Sequence, residues 1–231
     1  MNIDVCITAT LRPEIFKITI DSFFKFVVNN NSNHCFNFIL NIDSIPTSID
    51  SIKTANEIFG YLHDLTMQFE NTKLVYSIIR KTDSCSFSAA VINNWKETKS
   101  PLVFQLEDDW KFIKNIHIYD RGVSHYKYIR YPKAGASIQL KKLALQPSLW
   151  SGDLVRNLSK YMSPKYDPEK QLRPGFSKDI DKFLPPITMM KDYESVFDPC
   201  CIDIGTKWRD DHKIGKWRKN NKGEITWNFP I

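Results

Sequence analysis

A chain of 231 residues with 42% hydrophobic and 13% aromatic residues can bury a sizeable core, which excludes global disorder. Its formal charge of +6 is scattered until the tail, where Lys207, Arg209, Lys213, Lys216, Arg218, Lys219 and Lys222 gather into a local cationic patch suited to phosphates. The five cysteines (Cys6, Cys35, Cys85, Cys200, Cys201) are odd in number and lack C-x-x-C spacing. They indicate neither a disulfide framework nor a zinc site, and they fit a reducing, cytoplasmic compartment.

Ile3–Ala9 is short, apolar and β-branched. Thr10-Leu-Arg-Pro13 punctuates it before Glu14–Val28, where Ile15, Ile18, Phe23 and Phe26 recur at helical spacing. This predicts strand, loop and helix, with Pro13 in the first turn, where its missing N–H has no partner to lose. Phe36–Ile42 is a second strand ending at Asp43, and Ile52–Phe69 a helix with the stripe Ile52, Ala55, Phe59, Leu62, Leu65 and Phe69. Leu74–Ile79, Ser86–Thr98 and Pro101–Leu106 continue as strand, helix and strand. The alternation predicts an α/β fold with a mostly parallel, Rossmann-like central sheet flanked by helices. Beyond Trp110 it fades. Ala136–Leu145 reads as a strand, Ser148–Tyr161 as a helix, and Tyr166–Pro186 as a loop broken by proline and glycine. Asp4 stands where a signal peptide would be basic, and no apolar run approaches bilayer length, so at most peripheral membrane contact is expected.

In open parallel sheets, ligands bind beyond the carboxyl ends of the strands. That rule selects Thr8–Arg12, Asp43 and Glu107-Asp108-Asp109. The last is reached by a buried strand that runs without a turn residue into three consecutive carboxylates. Adjacent negative charges repel unless a cation or solvent screens them. Hard oxygen ligands of this kind favour magnesium or manganese, which keep open positions for diphosphate oxygens. A plain acidic turn would have the same composition, so the weight of the run comes from its place among the other motifs.

Those motifs are Thr8-Ala-Thr-Leu-Arg-Pro13 after the first strand, Asp43 after the second, Ser86-Phe-Ser-Ala-Ala-Val-Ile-Asn-Asn-Trp95 before the fourth, and Glu107–Asp109 after it. In this order the chain resembles the GT-A glycosyltransferases, more narrowly the family 2 type and its viral and bacterial relatives, over nearly its whole length. The resemblance implies one domain over 1–231. Residues 1–110 would bind the nucleotide sugar, and 111–231 would bind the acceptor and supply a C-terminal metal and phosphate segment. It implies transfer of a sugar from a UDP- or GDP-sugar to a hydroxyl of a glycan or glycoconjugate, with Mn2+ or Mg2+ as cofactor and no nucleic acid as partner.

By the same resemblance Asp109 takes the metal-ligand place of the family's D-x-D motif, with Glu107 a departure at its first position. Asp203 or His212 completes the metal shell, Asp203 standing in an Asp-Ile-Gly context that elsewhere in the family tends to read His-Ile-Gly. Thr8, Arg12, Asp43, Glu107, Asp108, Lys207 and Arg209 face the nucleotide sugar, and Gly205 would let backbone approach the diphosphate. Leu145–Arg156 looks like the acceptor-side segment, with Trp110, Trp150 and Asp153 as acceptor contacts. Asp167-Pro-Glu-Lys-Gln-Leu172 looks like the motif that supplies the base. Glu169 is then the carboxylate that takes the acceptor proton in an inverting attack, with Asp153 and Glu194 as alternatives.

Two other classes stay open. The basic tail with Trp208, Trp217 and Trp227 has the make-up of a nucleic-acid-binding module, which leaves the acidic run unexplained. A sugar nucleotidyltransferase would use a similar sheet, but such enzymes usually carry a glycine-rich loop after the first strand, and Thr8–Pro13 contains no glycine.

Overall fold

Strand β1 (Asn2–Thr10) is buried on both faces: Ile3, Val5 and Ile7 belong to one hydrophobic cluster, and Cys6 belongs to another on the face that also carries buried Asp4 and Thr8. It pairs in parallel with β2 (Cys35–Asp43) on one side and β4 (Leu102–Glu107) on the other, and β3 (Thr72–Arg80) extends the sheet beyond β2. The computed structural model describes residues 1–43, 51–80, 86–118, 127–133, 143–192, 199–212, 215–218 and 225–228. Beyond β4 lie β7 (Ser148–Ser151), β6 (Tyr128–Arg130) and β8 (Met190–Asp192), giving the order β3-β2-β1-β4-β7-β6-β8. Strand β7 runs antiparallel to both its neighbours, and β6 and β8 are parallel. The result is the expected mostly parallel α/β sheet, to which both halves of the chain contribute strands.

Helices α1 (Pro13–Phe23) and α2 (Ser51–Thr66) cover one face, burying Phe16, Ile20 and Phe23 from the first and Ala55, Ile58 and Leu62 from the second. Phe23 meets the rings of Phe36, Phe38, Phe104 and Phe112 edge-on at centroid distances of 6.4, 6.1, 5.1 and 5.5 Å. Pro13 lies in the first turn of α1 as expected. Past Phe23 the helix widens into a π turn (Phe24–Val28) and tightens into a 3-10 turn (Asn29–Asn31). The other face carries α3 (Phe87–Glu97), whose capping Ser86 accepts from the Ala89 N–H at 3.2 Å, and α4 (Gly152–Tyr161). Val91 and Trp95 from α3 pack there with Leu154, Val155 and Leu158 from α4. Among the described residues no helix is long and apolar enough to cross a membrane.

The second half departs from the sequence reading. Ser148–Tyr161 is a strand followed by a helix, because Ser148–Ser151 hydrogen-bonds as a ladder to both β4 and β6, and only Gly152 onward coils. Tyr166–Pro186 holds two one-turn helices, α5 (Pro168–Gln171) and α6 (Lys178–Asp181). Of the strand expected over Ala136–Leu145, residues 136–142 lie outside the described residues, and 143–145 form no strand. A separate two-stranded sheet joins β5 (Trp110–Phe112) to β9 (Cys201–Asp203), and α7 (Gly205–Asp211) follows it. Near the end, β10 (Gly215–Arg218) and β11 (Ile225–Asn228) form a hairpin.

Candidate active site at the carboxyl edge of the sheet

Strands β1, β2 and β4 end side by side, with Thr10 in register with Asp43 and Thr8 with both Asn41 and Glu107. Immediately past β4 the chain turns, and the two aspartates of the turn part company. Asp108 points inward and is saturated. Its Oδ2 accepts from the Thr10 N–H (2.8 Å) and hydroxyl (3.1 Å), its Oδ1 pairs with the Arg12 guanidinium, and its carbonyl accepts from Thr19 Oγ1 at 2.7 Å. Asp108 therefore ties the turn to α1 and the loop before it, and has no face for a nucleotide. Arg12 is likewise enclosed, donating to Thr10 Oγ1 at 2.7 Å and to Asp109 at 3.3 Å as well as to Asp108, so it organises the turn.

Asp109 lies at the centre of the second group. Its Oδ2 is 3.3 Å from Arg12 Nη2 and 3.8 Å from Arg209 Nη1. Pairing of β5 with β9 sets Trp110 opposite Asp203, and the Asp109 carbonyl accepts from the Ile204 N–H at 2.9 Å. The carboxylate rests directly over Gly205, where a Cβ would stand 2.0 Å from Oδ2, so only glycine fits. Burial, with Asp108 and Asp203 alongside, holds the Asp109 carboxyl above its ordinary range despite the two guanidinium groups. Asp203 caps α7, accepting from the Gly205 and Thr206 N–H groups, each at 3.1 Å. Lys133 stands 4.0 Å from Asp203 Oδ2, with its ammonium 5.4 Å from the Trp110 ring centroid.

Helix α7 is strapped over this group. Trp208 donates its indole N–H to Glu14 in the first turn of α1, and the Arg12 guanidinium lies 5.4 Å from the Trp208 ring. His212 is turned away from Asp109. Its Nδ1 is 2.8 Å from the Trp208 carbonyl and its ring stacks on that indole, whereas Asp203 lies beside Asp109. Lys207 is exposed and paired with Asp211 at 2.9 Å on the same helix, off the site.

Thr8 is enclosed, and its Oγ1 has no hydrogen-bond partner among the described residues. Asp43 is also buried, accepting from Asn41 at 2.9 Å and facing Arg80 Nε at 3.5 Å; burial raises its pKa, an effect those partners only partly offset. Glu169 lies in the one turn of α5, which Asp167 caps through the Lys170 N–H at 3.0 Å. The segment before it docks on the first turn of α3, where Ser86 and Ser88 donate to the carbonyls of Pro164 and Tyr166. That turn follows β3, so it lies at the same carboxyl edge. The Leu145 N–H donates to Glu169 Oε1 at 2.9 Å and aims the group.

Burial and topology set the surroundings of the three acceptor-side candidates. Trp150 is fully enclosed between Trp95 (5.2 Å) and Tyr128 (4.6 Å) and donates to Ser148, so its ring is core. Trp110 is buried too, its indole N–H without a partner among the described residues. Asp153 follows β7, which runs against β4, and so emerges at the amino edge of the sheet beside Pro101 and Ser100, where it pairs with Arg156 at 2.7 Å. Glu194, Lys213, Lys219 and Lys222 lie outside the described residues. Lys133 and Arg80 were not anticipated, since neither sits in a recognisable motif. Lys133 reaches the site through its bridge to Cys201.

No protein-family model matches the chain, and no curated protein matches it. Solved structures do. S. aureus TarS 1-349 superposes with a TM-score of 0.53 at 10% identity over 92% of this chain and 63% of that one. The mannosyltransferase PcManGT from Pyrobaculum calidifontis, in complex with GDP-Man and Mn2+, gives 0.52 at 7% identity over 87% of this chain and 56% of that one. The fold is of the GT-A type. A putative glucose-1-phosphate thymidylyltransferase from Bacillus anthracis shares the architecture, with a TM-score of 0.50 at 10% identity over 89% of this chain and 90% of that one. The chain thus spans under two thirds of the TarS and PcManGT chains but nearly all of the thymidylyltransferase.

Within this GT-A fold, Asp203 lies beside Asp109 and Asp108 past the carboxyl end of β4. Among the described residues no trio of His, Cys, Asp or Glu could hold a metal ion by itself. A pair of carboxylates beside a glycine cradle nevertheless fits magnesium or manganese, which are bound through one or two carboxylates together with substrate phosphates.

Proposed function

We propose that the protein is a nucleotide-sugar-dependent glycosyltransferase whose donor diphosphate lies over Asp109, Asp203 and Gly205. The observation that carries this reading is the convergence of two carboxylates from distant segments at the carboxyl edge of a GT-A sheet, one of them over a glycine that admits no side chain. TarS crystallised with UDP-GlcNAc and PcManGT with GDP-Man and Mn2+ support a nucleotide sugar as the ligand class. Thr8 and Asp43, both buried at the ends of the first two strands, are the residues we assign to the nucleoside side, and Glu107 and Arg209 to the diphosphate side.

A divalent cation held by Asp109 and Asp203 would neutralise charge on the leaving diphosphate. Arg209 and Lys133 add preorganised positive charge on the same side. Glu169 is assigned as the base: it takes the proton of the acceptor hydroxyl as that oxygen attacks the anomeric carbon opposite the diphosphate. The hydrogen bond from Leu145 N–H keeps its carboxylate aimed. The acceptor is a hydroxyl-bearing glycan or glycoconjugate.

The test is a thermal-shift panel of UDP-, GDP- and dTDP-sugars with and without Mn2+, repeated on Asp109→Ala and Glu169→Ala. We expect Asp109→Ala to lose the cation-dependent shift. Glu169→Ala should keep that shift while transfer falls by at least about a hundredfold. Unchanged donor binding in Asp109→Ala would sink the site assignment.

A second reading, a sugar nucleotidyltransferase, is favoured by the near-complete mutual coverage with the thymidylyltransferase. Against it stands the glycine-free Thr8–Pro13 loop. Release of pyrophosphate from a sugar 1-phosphate and a nucleoside triphosphate would decide for it.

A further inference from the structure

Four enclosed polar atoms share the layer between α3 and the sheet. Thr8 Oγ1, Asn41 Oδ1, Asn94 Oδ1 and Gln105 Nε2 have no hydrogen-bond partner among the described residues, and their residues are 6%, 0%, 0% and 0% exposed. Register puts the three strand residues on one face. Thr8 pairs with Asn41 on β2, and Gln105 on β4 pairs with Cys6, two residues before Thr8 and so on the same side of β1. That side packs against α3, where Cys6 and Ile39 join Val91 and Trp95 in one cluster. Asn94 reaches down from α3 and donates Nδ2 to the Ile7 carbonyl, next to Thr8, at 2.8 Å.

The bonds these side chains do make fix which atom is left over. Asn41 donates Nδ2 to Asp43 Oδ1 at 2.9 Å and Asn94 donates to Ile7, so in both the amide oxygen remains. Gln105 accepts from Trp95 Nε1 at 2.9 Å through Oε1, so its amide N–H groups remain. The set is two acceptors, one donor group and one hydroxyl that serves as either, and none of them is charged. A cation would oppose the Gln105 N–H groups, and an anion would oppose the two amide oxygens. Water, which donates twice and accepts twice, complements all four. Buried polar groups of folded proteins are hydrogen-bonded, and internal water serves those the chain leaves over.

We propose that an internal water site of one or two molecules lies between α3 and the face of β1, β2 and β4, and that it positions Asp43 through Asn41. The Asn41 amide is then held at both ends: water donates to its oxygen, and its N–H donates to Asp43. Turned over, it would set its oxygen against the Asp43 carboxylate. The relay runs from Asn94 through water to Asn41 and Asp43, so a residue of α3 outside the donor contacts orients a carboxylate assigned to the nucleoside. That last step rests on the reading of Asp43 given above.

Oxygen-17 magnetic relaxation dispersion counts water molecules held longer than the protein takes to tumble. It is applied to the full chain as parent, Thr8→Val, Thr8→Ser and Asn94→Leu. Thr8→Val keeps the shape and removes a hydroxyl with no other partner among the described residues. It is expected to hold about one long-lived water fewer than the parent. Its denaturant midpoint should fall, because Asn41 and Asn94 lose their bridge. Thr8→Ser is expected to keep both the count and the midpoint. Asn94→Leu is expected to lower the count and to bind UDP or GDP about tenfold more weakly in calorimetric titration.

A Thr8→Val chain with the parental count, or with a raised midpoint, would overturn the water site, since the layer would then be dry. Asn94→Leu with a lower count and parental nucleotide affinity would overturn the positioning of Asp43. If the parent itself binds neither nucleotide, the reading of Asp43 fails and the positioning step with it. That failure is distinct, because the water count is read without nucleotide.

Discussion

Asp108 and Asp109 are adjacent and chemically identical, yet their surroundings give them opposite effects on stability. Asp108 accepts from Thr10 and pairs with buried Arg12, so Asp108→Ala leaves the guanidinium with only Asp109 and Thr10 as partners. It is expected to cost about 1–3 kcal/mol, read from denaturant midpoints. Asp109 binds its proton more tightly in the folded chain than in the unfolded one, through burial first and then Asp108 and Asp203. Its ionisation therefore erodes stability as pH rises from the ordinary carboxylate value through the raised one, and the penalty is fully present above that. Asp109→Asn is accordingly expected to raise Tm at pH 7, read in thermal melts of both proteins across pH. The gain should vanish below about pH 4, where both proteins are protonated. A stabilising loss of charge is what a functional carboxylate predicts. Gly205→Ala tests the cradle: its Cβ would stand 2.0 Å from Asp109 Oδ2, so Asp109 or α7 must shift. The expected result is a cost of about 1–3 kcal/mol with loss of cation-dependent nucleotide binding, measured by thermal melts with and without Mn2+ and UDP.

At the level of elements, α7 is the least anchored part of the site. Of its residues only Gly205 is buried, and it is tied down by Trp208, which reaches Glu14 and covers Arg12, and by Arg209, which faces Asp109. Trp208→Ala is expected to accelerate amide hydrogen exchange across 205–211 while leaving exchange in β1, β2 and β4 unchanged, since their stability comes from the core. Local pattern was a good guide where elements are long and covered on a known face. The first four strands and three helices were legible in hydrophobic spacing, and the acidic turn was placed by its strand. Pattern misled at Ser148–Tyr161 because Ser-Leu-Trp-Ser is too short to display a period of two before helical spacing takes over at Gly152. That error misplaced Asp153, which the antiparallel run of β7 carries to the far edge from Asp109.

Across the whole molecule, the site's rigidity derives from one aromatic cluster. Phe23 of α1 packs against Phe36 and Phe38 on β2, Phe104 on β4 and Phe112 on β5, so the strands that deliver Asp43, Glu107 and Asp109 share a single buttress. Phe23→Ala is expected to destabilise the fold by about 3–5 kcal/mol in denaturant titration. By itself the sequence determined the strand–helix alternation, the parallel core and the three strand ends that form its carboxyl edge, because side-chain periodicity and chain direction are local properties. Only the tertiary structure decided which of two neighbouring aspartates is bonded into the turn, that Asp203 joins Asp109 while His212 turns away, that Trp110 and Trp150 are buried, and that Lys133 arrives unannounced. Each of those depends on pairing between distant segments, β5 with β9 and β4 with β7, whose register is set by packing that no window of sequence contains.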